Sequence, residues 1–292
     1  DSVHIISGTG VGGAERFLSV LLPEMTKLGV GRHIVFSLTP SGRFGHNLVA
    51  NQIQVIAPRR KGILNLMVFL WKTWLFLRRN KPNIVFGWMY HAMLISFIFR
   101  ITGVLPSKVI WCIRQSIPRL GCFKYRTVIV IHLCKLLSRY VPAIVYNSYA
   151  GQETHWRLGF SGHDNYVIPN GFVIKPYARR SGYPERVDIS KQVMTFAFVG
   201  RGHKQKNIAL LVSAFEEVFA RLDSVGCKLL LAGPNIRSLT DNPNIEVVGI
   251  VDDIPAFLAT VDILVLPSLI EGFPNIVGEA MLEGVPCKVS DV

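Results

Sequence analysis

Two α/β domains, each a parallel sheet with helices on both faces, are predicted by three observations. Short apolar, β-branched runs alternate with longer segments of helical period, the rhythm of repeated β-α-β units. The chain has 292 residues and is 50% hydrophobic, more than one ordinary core accommodates. A polar stretch without period, carrying Pro176, Gly182 and Pro184, separates two such series. The domains read as residues 1–170 and 193–292, joined by a linker at 171–192.

In the first series the strand-like runs are 3–7, 32–38, 54–56, 84–88, 109–113, 143–146 and 166–168, rich in Val, Ile and aromatic residues. Between them lie helix-like segments at 14–28, 42–51, 65–80, 92–102, 126–140 and 150–158. The second series has strands at 194–199, 228–232, 246–248, 263–266 and 287–290. Its helices read as 207–222, 254–260 and 276–282. Doubly wound sheets bind ligands at the carboxyl ends of their strands, so the residues just after each strand carry the functional expectations.

Composition narrows the class. The cysteines Cys112, Cys122, Cys134, Cys227 and Cys287 form no C-x-x-C pair, which points to a reducing, cytoplasmic compartment. The eight histidines do not fall at metal-ligand spacing, and no metal is expected. The chain opens on Asp1-Ser2 without a basic n-region, so no secretory leader is expected. No apolar run reaches the ~18 residues of a membrane span. Residues 63–77 are broken by Asn65 and Lys72, and 92–99 are closed by Arg100.

The net charge of +13 is lopsided: residues 1–170 hold 20 Lys and Arg against 5 Asp and Glu, residues 171–292 hold 12 against 14. A basic half implies an anionic partner. No nucleic-acid recognition motif is present. Basic residues interleave with large apolar ones, as in Phe69-Leu70-Trp71-Lys72 and Phe97-Ile98-Phe99-Arg100, which suits peripheral contact with an anionic membrane surface. A core helix with a basic outer face reads equally well.

Three motifs carry the chemistry. Gly8, Gly10 and Gly13 fit G-x-G-x-x-G between a strand and a helix, a turn whose backbone N–H groups can approach a phosphate. A nicotinamide site also wants an acidic residue about 20 positions on, and no Asp or Glu occurs between Glu24 and Glu153. A glycine turn that only packs strand against helix is the rival reading. The second motif, Val199-Gly200-Arg201 with Lys206-Asn207, places two cations at a strand's carboxyl end, where they could clamp a diphosphate. The third runs from Pro267-Ser268 through Glu271-Gly272-Phe273-Pro274-Asn275 to Glu279. Pro274 is expected at the first helical position, and Glu279 about two turns in. Glu271 falls in the loop, and the helix N-terminus could hold an anion or sugar hydroxyls.

Taken together with Gly12-Gly13-Ala14-Glu15, Pro169-Asn170-Gly171, Leu231-Ala232-Gly233 and Gly284-Val285-Pro286, these stretches resemble retaining glycosyltransferases of the GT-B fold. The resemblance is to the large glycogen-synthase-like family, of family 4 type, that elongates bacterial polysaccharides and glycolipids. It implies two Rossmann-like domains facing a cleft. It also implies a C-terminal domain lacking the closing elements that the family adds after Asp291-Val292, so that the sequence reads as a trimmed one.

The resemblance also implies roles. Arg201 and Lys206 bind the donor diphosphate, with Gly200 in the same turn. Glu271 contacts the donor sugar, the backbone of Gly272, Phe273, Pro274 and Asn275 holds hydroxyls and phosphate, and Glu279 binds the ribose. The turn at Gly10, Gly12 and Gly13 shapes acceptor access. Where many family members carry a His beside the donor sugar, this chain has Arg114; His91, at a neighbouring strand end, is the other candidate. The donor is a nucleoside-diphosphate sugar, with uridine the commonest base in the family, and no cofactor or metal is implied. The acceptor is a growing saccharide or a lipid-linked one in surface polysaccharide biosynthesis, at the inner face of the cell membrane. A nucleotide-sugar epimerase of the same fold and a non-catalytic nucleotide-sugar or glycan-binding protein are the alternatives.

Overall fold

A computed structural model describes residues 1–10, 12–104, 108–117, 120–172, 193–221, 226–237 and 240–291, without the Cys122 side chain. These residues divide into two compact units, Asp1–Gly171 and Phe172–Val292. Most of the stretch read as a linker, 173–192, lies outside the described residues.

The first unit runs β1 (Ser2–Ile6), α1 (Gly13–Lys27), β2 (His33–Ser37), α2 (Arg43–Ala50), β3 (Gln54–Ile56), α3 (Ile63–Asn80) and β4 (Ile84–Trp88). It continues with α4 (Met89–Ile101), β5 (Lys108–Ile113), α5 (Tyr125–Ser138), β6 (Ala143–Tyr146), α6 (Tyr149–Leu158) and β7 (Asp164–Val167). All seven strands are parallel, in the order β3-β2-β1-β4-β5-β6-β7. Period-2 alternation decides which side each residue feeds. Val3 and Ile5 join the core with Phe69, Leu77, Met93 and Phe97 of α3 and α4, while Ile6 and Val35 join Leu18, Leu22 and Leu48 of α1 and α2. Both faces are covered, so the strands read as continuous apolar runs.

The second unit runs β8 (Val193–Val199), a 3-10 turn (Lys204–Lys206), α7 (Ile208–Arg221), β9 (Gly226–Ala232) and β10 (Ile245–Gly249). Then come α8 (Ile254–Leu258), β11 (Ile263–Leu266), α9 (Asn275–Leu282) and β12 (Cys287–Val289). Its sheet is parallel, ordered β10-β9-β8-β11-β12. In both units strand order reverses beside the first strand, so chain crossovers leave in opposite directions from β1 and β4, and again from β8 and β11. A crevice opens at each switch point, at the strands' carboxyl ends.

Two expectations are corrected. The helix expected at 92–102 begins at Met89, directly after β4. Met89 takes φ +65°, left-handed backbone that a non-glycine residue rarely adopts, and this sharp elbow turns the chain straight from β4 into α4. Pro274 is the N-cap of α9, not its first helical residue: its ψ of 101° is extended, and the helix starts at Asn275. Glu279 is therefore the fifth residue of α9, about one turn in.

Two histidines buried in the first unit are hydrogen-bonded through both ring nitrogens. His4, inside β1, accepts at Nδ1 from Trp88 Nε1 at 3.2 Å, and its Nε2 lies 3.0 Å from Ser2 Oγ. His155 Nδ1 donates to the Gly151 carbonyl at 2.6 Å, which leaves Nε2 to accept from the Tyr90 hydroxyl at 2.9 Å. Burial lowers the pKa of His4 to about 3 and that of His155 to about 4, from 6.5. Both stay neutral in the folded chain while the unfolded chain protonates them. Stability present above pH 6.5 is therefore lost as pH falls through the interval down to these values. Urea unfolding measured between about pH 6.5 and pH 5 should show a loss of ~1.4 kcal/mol per pH unit for each histidine. A His4→Asn chain should lose its share of the slope; an unchanged slope would show that His4 is not buried neutral.

Candidate functional site

The site in the second unit is built where its strand order reverses. After β8, Gly200 N–H donates to the Ala232 carbonyl at 2.9 Å and Gly202 N–H to the Pro234 carbonyl at 2.8 Å, drawing the loops after β8 and β9 together. The approach needs glycine. A Cβ on Gly202 would fall on the Asn235 carbonyl, and one on Gly233, whose φ is +139°, on the Gly200 carbonyl. The chain then winds through the 3-10 turn, where His203 Nδ1 accepts from Gln205 N–H at 3.3 Å and Asn207 takes φ +52° to enter α7. This turn carries Lys206 back over the strand ends.

The loop after β11 is tied to the same turn, because Leu269 N–H donates to the Gln205 carbonyl at 2.8 Å. Ser268 and Ile270 point inward and are buried. The intervening register places Glu271 on the opening, where its Oε1 forms an ion pair with Lys206 Nζ. The two side chains are only 16% and 21% exposed, so this pair is far less screened than the surface pairs elsewhere on the chain. Gly272, Phe273, Pro274 and Asn275 lead from Glu271 to the start of α9, and all are half-buried. No side chain caps α9, and its first-turn N–H groups face the same loop. Glu279 follows one turn later, half-buried. Arg201 sits on the β8 loop and is exposed.

The structure thus brings Lys206 and Glu271 into contact, and joins Gly200 and Arg201 to them through one loop. It also shows a residue pair that motif reading missed. Phe172, just after Pro169-Asn170-Gly171, lays its ring on Gly278, where a Cβ would collide with it, and lies 6.0 Å from the Phe273 ring. The small residue just before Glu279 was a visible signal; its partner, more than a hundred positions away, was not.

The first unit presents its own expected residues at its strand ends. Gly12 is the N-cap of α1, and the Glu15 carboxylate folds back over it. A Cβ on Gly42 would stand 2.7 Å from Gly10 Cα, and the Thr9 carbonyl accepts from Phe44 N–H at 3.0 Å. Gly10 and Gly42 therefore do pack loops together, whatever else they bind. His91 is exposed in the first turn of α4, its pKa lowered by the desolvation it does feel. Arg114 follows β5. Its guanidinium lies 3.8 Å from the centre of the Phe17 ring and 5.7 Å from that of Trp88, and Nη2 donates to Asn170 Oδ1. Burial lowers its pKa to about 10, which leaves it charged at neutral pH. Asn170, central to Pro169-Asn170-Gly171, thus fixes Arg114. Among the described residues no three of His, Cys, Asp and Glu are grouped so as to hold a metal ion.

Comparison with known proteins agrees with this architecture. The profile described as "Glycosyltransferase Family 4" matches residues 11–175, and that described as "Glycosyl transferases group 1" matches residues 194–292. A 41.2 kDa protein in the cps region of Klebsiella pneumoniae is 23% identical over 67% of this chain and 56% of its own length. The chain thus matches just over half of that relative. The UDP-Gal:alpha-D-GlcNAc-diphosphoundecaprenol alpha-1,3-galactosyltransferase of Escherichia coli is 31% identical over 43% of this chain and 36% of its own length. The crystal structure of Anabaena HepE in complex with UDP and glucose superposes on the whole chain and 81% of its own, at TM-score 0.76 and 18% identity, and shows a GT-B fold.

Gly233 offers a direct check of the loop packing. A Gly233→Ala chain should lose ~1–3 kcal/mol of stability from backbone strain, before any collision is counted. Calorimetry should show the loss in the second unit, while any separate transition of the first stays in place; an unmoved melt would refute the close approach.

Proposed function

The chain belongs to glycosyltransferase family 4, and on that premise we propose that it moves a glycosyl group from a nucleoside-diphosphate sugar to a saccharide acceptor, with retention and without a metal. The observation that carries this is the Lys206–Glu271 ion pair, set at the switch point of the second unit beside the α9 N-terminus. Cleaving the bond between the anomeric carbon and the phosphate oxygen leaves an oxocarbenium-like centre and a diphosphate with added negative charge. Lys206, Arg201 and the first N–H groups of α9 neutralise that charge and stand in the place a metal would take. Glu271 holds Lys206 in position and offers its second oxygen to sugar hydroxyls. Glu279 takes the ribose hydroxyls.

Retention by double displacement needs a nucleophile on the opposite face of the sugar. No carboxylate occurs from Met25 to Gln152, which favours a same-face route. In it the acceptor hydroxyl attacks the anomeric carbon on the side the diphosphate leaves, and its proton passes to the departing phosphate oxygen. Arg114, charged and held by Asn170, binds an anionic substrate group from the first unit, and the neutral His91 imidazole hydrogen-bonds to sugar or acceptor. UDP in the HepE crystal and UDP-Gal in the name of the E. coli relative support a uridine donor. The diphosphoundecaprenol-linked acceptor named for that relative, and the cps-region origin of the Klebsiella one, support a lipid-linked acceptor in surface polysaccharide synthesis. Work on such an acceptor takes place at the inner face of the membrane, which the basic first unit contacts peripherally.

Thermal-shift titration with uridine, guanosine and adenosine diphosphate sugars, together with donor hydrolysis, tests this reading. Uridine compounds should stabilise the chain. Lys206→Met should weaken uridine diphosphate binding about tenfold or more, the loss expected of a charge-assisted contact. Glu271→Ala should keep most of that binding and lose roughly 10²–10³ in turnover. Stabilisation by no nucleotide, or a Glu271→Ala chain that hydrolyses donor like the parent, would reject the proposal.

A further inference from the structure

Helix α3 is apolar on two sides. Phe69 and Leu77 are buried in the core, and Phe69 and Phe76 pack on Phe36 of β2. On the other side Ile63, Leu64, Met67, Val68 and Trp71 are between 44 and 75% exposed. Leu64, Met67, Val68 and Trp71 recur at three- and four-residue spacing, so they form one outward stripe. A helix with apolar residues all round belongs in a core or in lipid, and among the described residues no helix is long and apolar enough to cross a membrane.

Charge and shape complete the picture. Arg59, Arg60 and Lys61 precede α3, Arg78 and Arg79 end it, and no Asp or Glu lies anywhere from Met25 to Gln152. Between α3 and the β2–β3 edge runs a groove of about 540 Å³, within the size range of amphiphile and ligand pockets. Its walls are Phe36, Phe69, Phe76 and Val68, and Arg59 and Lys72 line it as cations. An apolar interior with two cations and no carboxylate suits a molecule with a tail and an anionic head.

We propose that α3 is the membrane-docking element of this chain and that the groove behind it takes an anionic phospholipid. The outward stripe lies in the headgroup layer with Trp71 at the interface, one acyl chain lies in the groove beside Val68, and the lipid phosphate is held by Arg59 and Lys72. This rests on the membrane contact proposed above and names its face and its ligand.

The test is vesicle co-sedimentation of the full chain, with phosphatidylcholine alone and with phosphatidylcholine mixed with phosphatidylglycerol. The chain should bind only the mixed vesicles. Arg59→Gln with Lys72→Gln should weaken binding about 30-fold, the loss expected for two surface cations. Met67→Asp with Trp71→Asp should abolish it. Arg43→Glu on α2, which packs on the opposite face of the sheet, should leave it unchanged. All these side chains are exposed, and thermal melts matching the parent confirm folding. Binding to neither vesicle overturns membrane contact itself. Binding that the α3 variants do not reduce overturns only the assignment to α3. Inorganic phosphate that displaces the chain from vesicles at millimolar level would show a phosphate site without a lipid tail and overturn the groove. A dimer dissolved by the Met67→Asp, Trp71→Asp pair would give the stripe to a second copy and overturn the proposal. Uridine diphosphate binding, measured on the same preparations, is independent of all four results.

Discussion

A parallel sheet whose strand order reverses must leave a crevice, because the crossovers on either side of the reversal depart to opposite faces. Both units of this chain obey that constraint, at β1 and β4 and at β8 and β11. The crevice supplies two things that side chains alone cannot. It exposes backbone N–H groups at helix starts, and it brings loops from distant parts of the sequence to one place. In the second unit those loops are pinned by backbone bonds, Gly202 to Pro234 and Leu269 to Gln205, before any side chain acts. The Lys206–Glu271 pair then forms between groups that are already positioned, so little ordering entropy opposes it.

This order of construction explains why the glycines fall where they do. Gly202 and Gly233 are required by carbonyls that pass within contact, Gly42 by Gly10, and Gly278 by the Phe172 ring. None of these needs a phosphate to be explained. A glycine-rich turn is first a solution to backbone crowding at a switch point, and only the charged groups that such crowding brings together point to chemistry. In the second unit those groups are Lys206 and Glu271. In the first unit the corresponding group is Arg114, sandwiched on Phe17 and tied to Asn170.

Much of the fold was legible because buried parallel strands leave an uninterrupted apolar signature and their helices a periodic one. The elements missed by a few residues share a cause. Met89 enters the left-handed region and Pro274 stays extended, and neither choice is encoded by hydropathy. At the site, Glu271, Lys206 and Arg201 were legible as charged residues following strands. Their contact was not, since the partners lie 65 positions apart and meet only through sheet order. The bond from Arg114 to Asn170 was hidden in the same way across 56 positions. Sequence spacing reports local geometry; long-range pairing depends on the order of strands, which no local pattern states.

The division of charge then acquires a physical meaning. In the second unit a cationic loop holds one carboxylate, Glu271, largely out of water. The first unit carries none over its middle, and the same absence acts twice. In the reaction proposed above, it leaves no carboxylate of this stretch to act as a nucleophile, and on that reading leaving-group stabilisation by cations does the chemical work. Outside, it leaves the cations around α3 unneutralised by neighbours, so their field is available to an anionic surface. On the two proposals made above, a carboxylate introduced between β3 and α5 would change both at once. On those two proposals the lack of Asp and Glu in this stretch serves reaction and docking together.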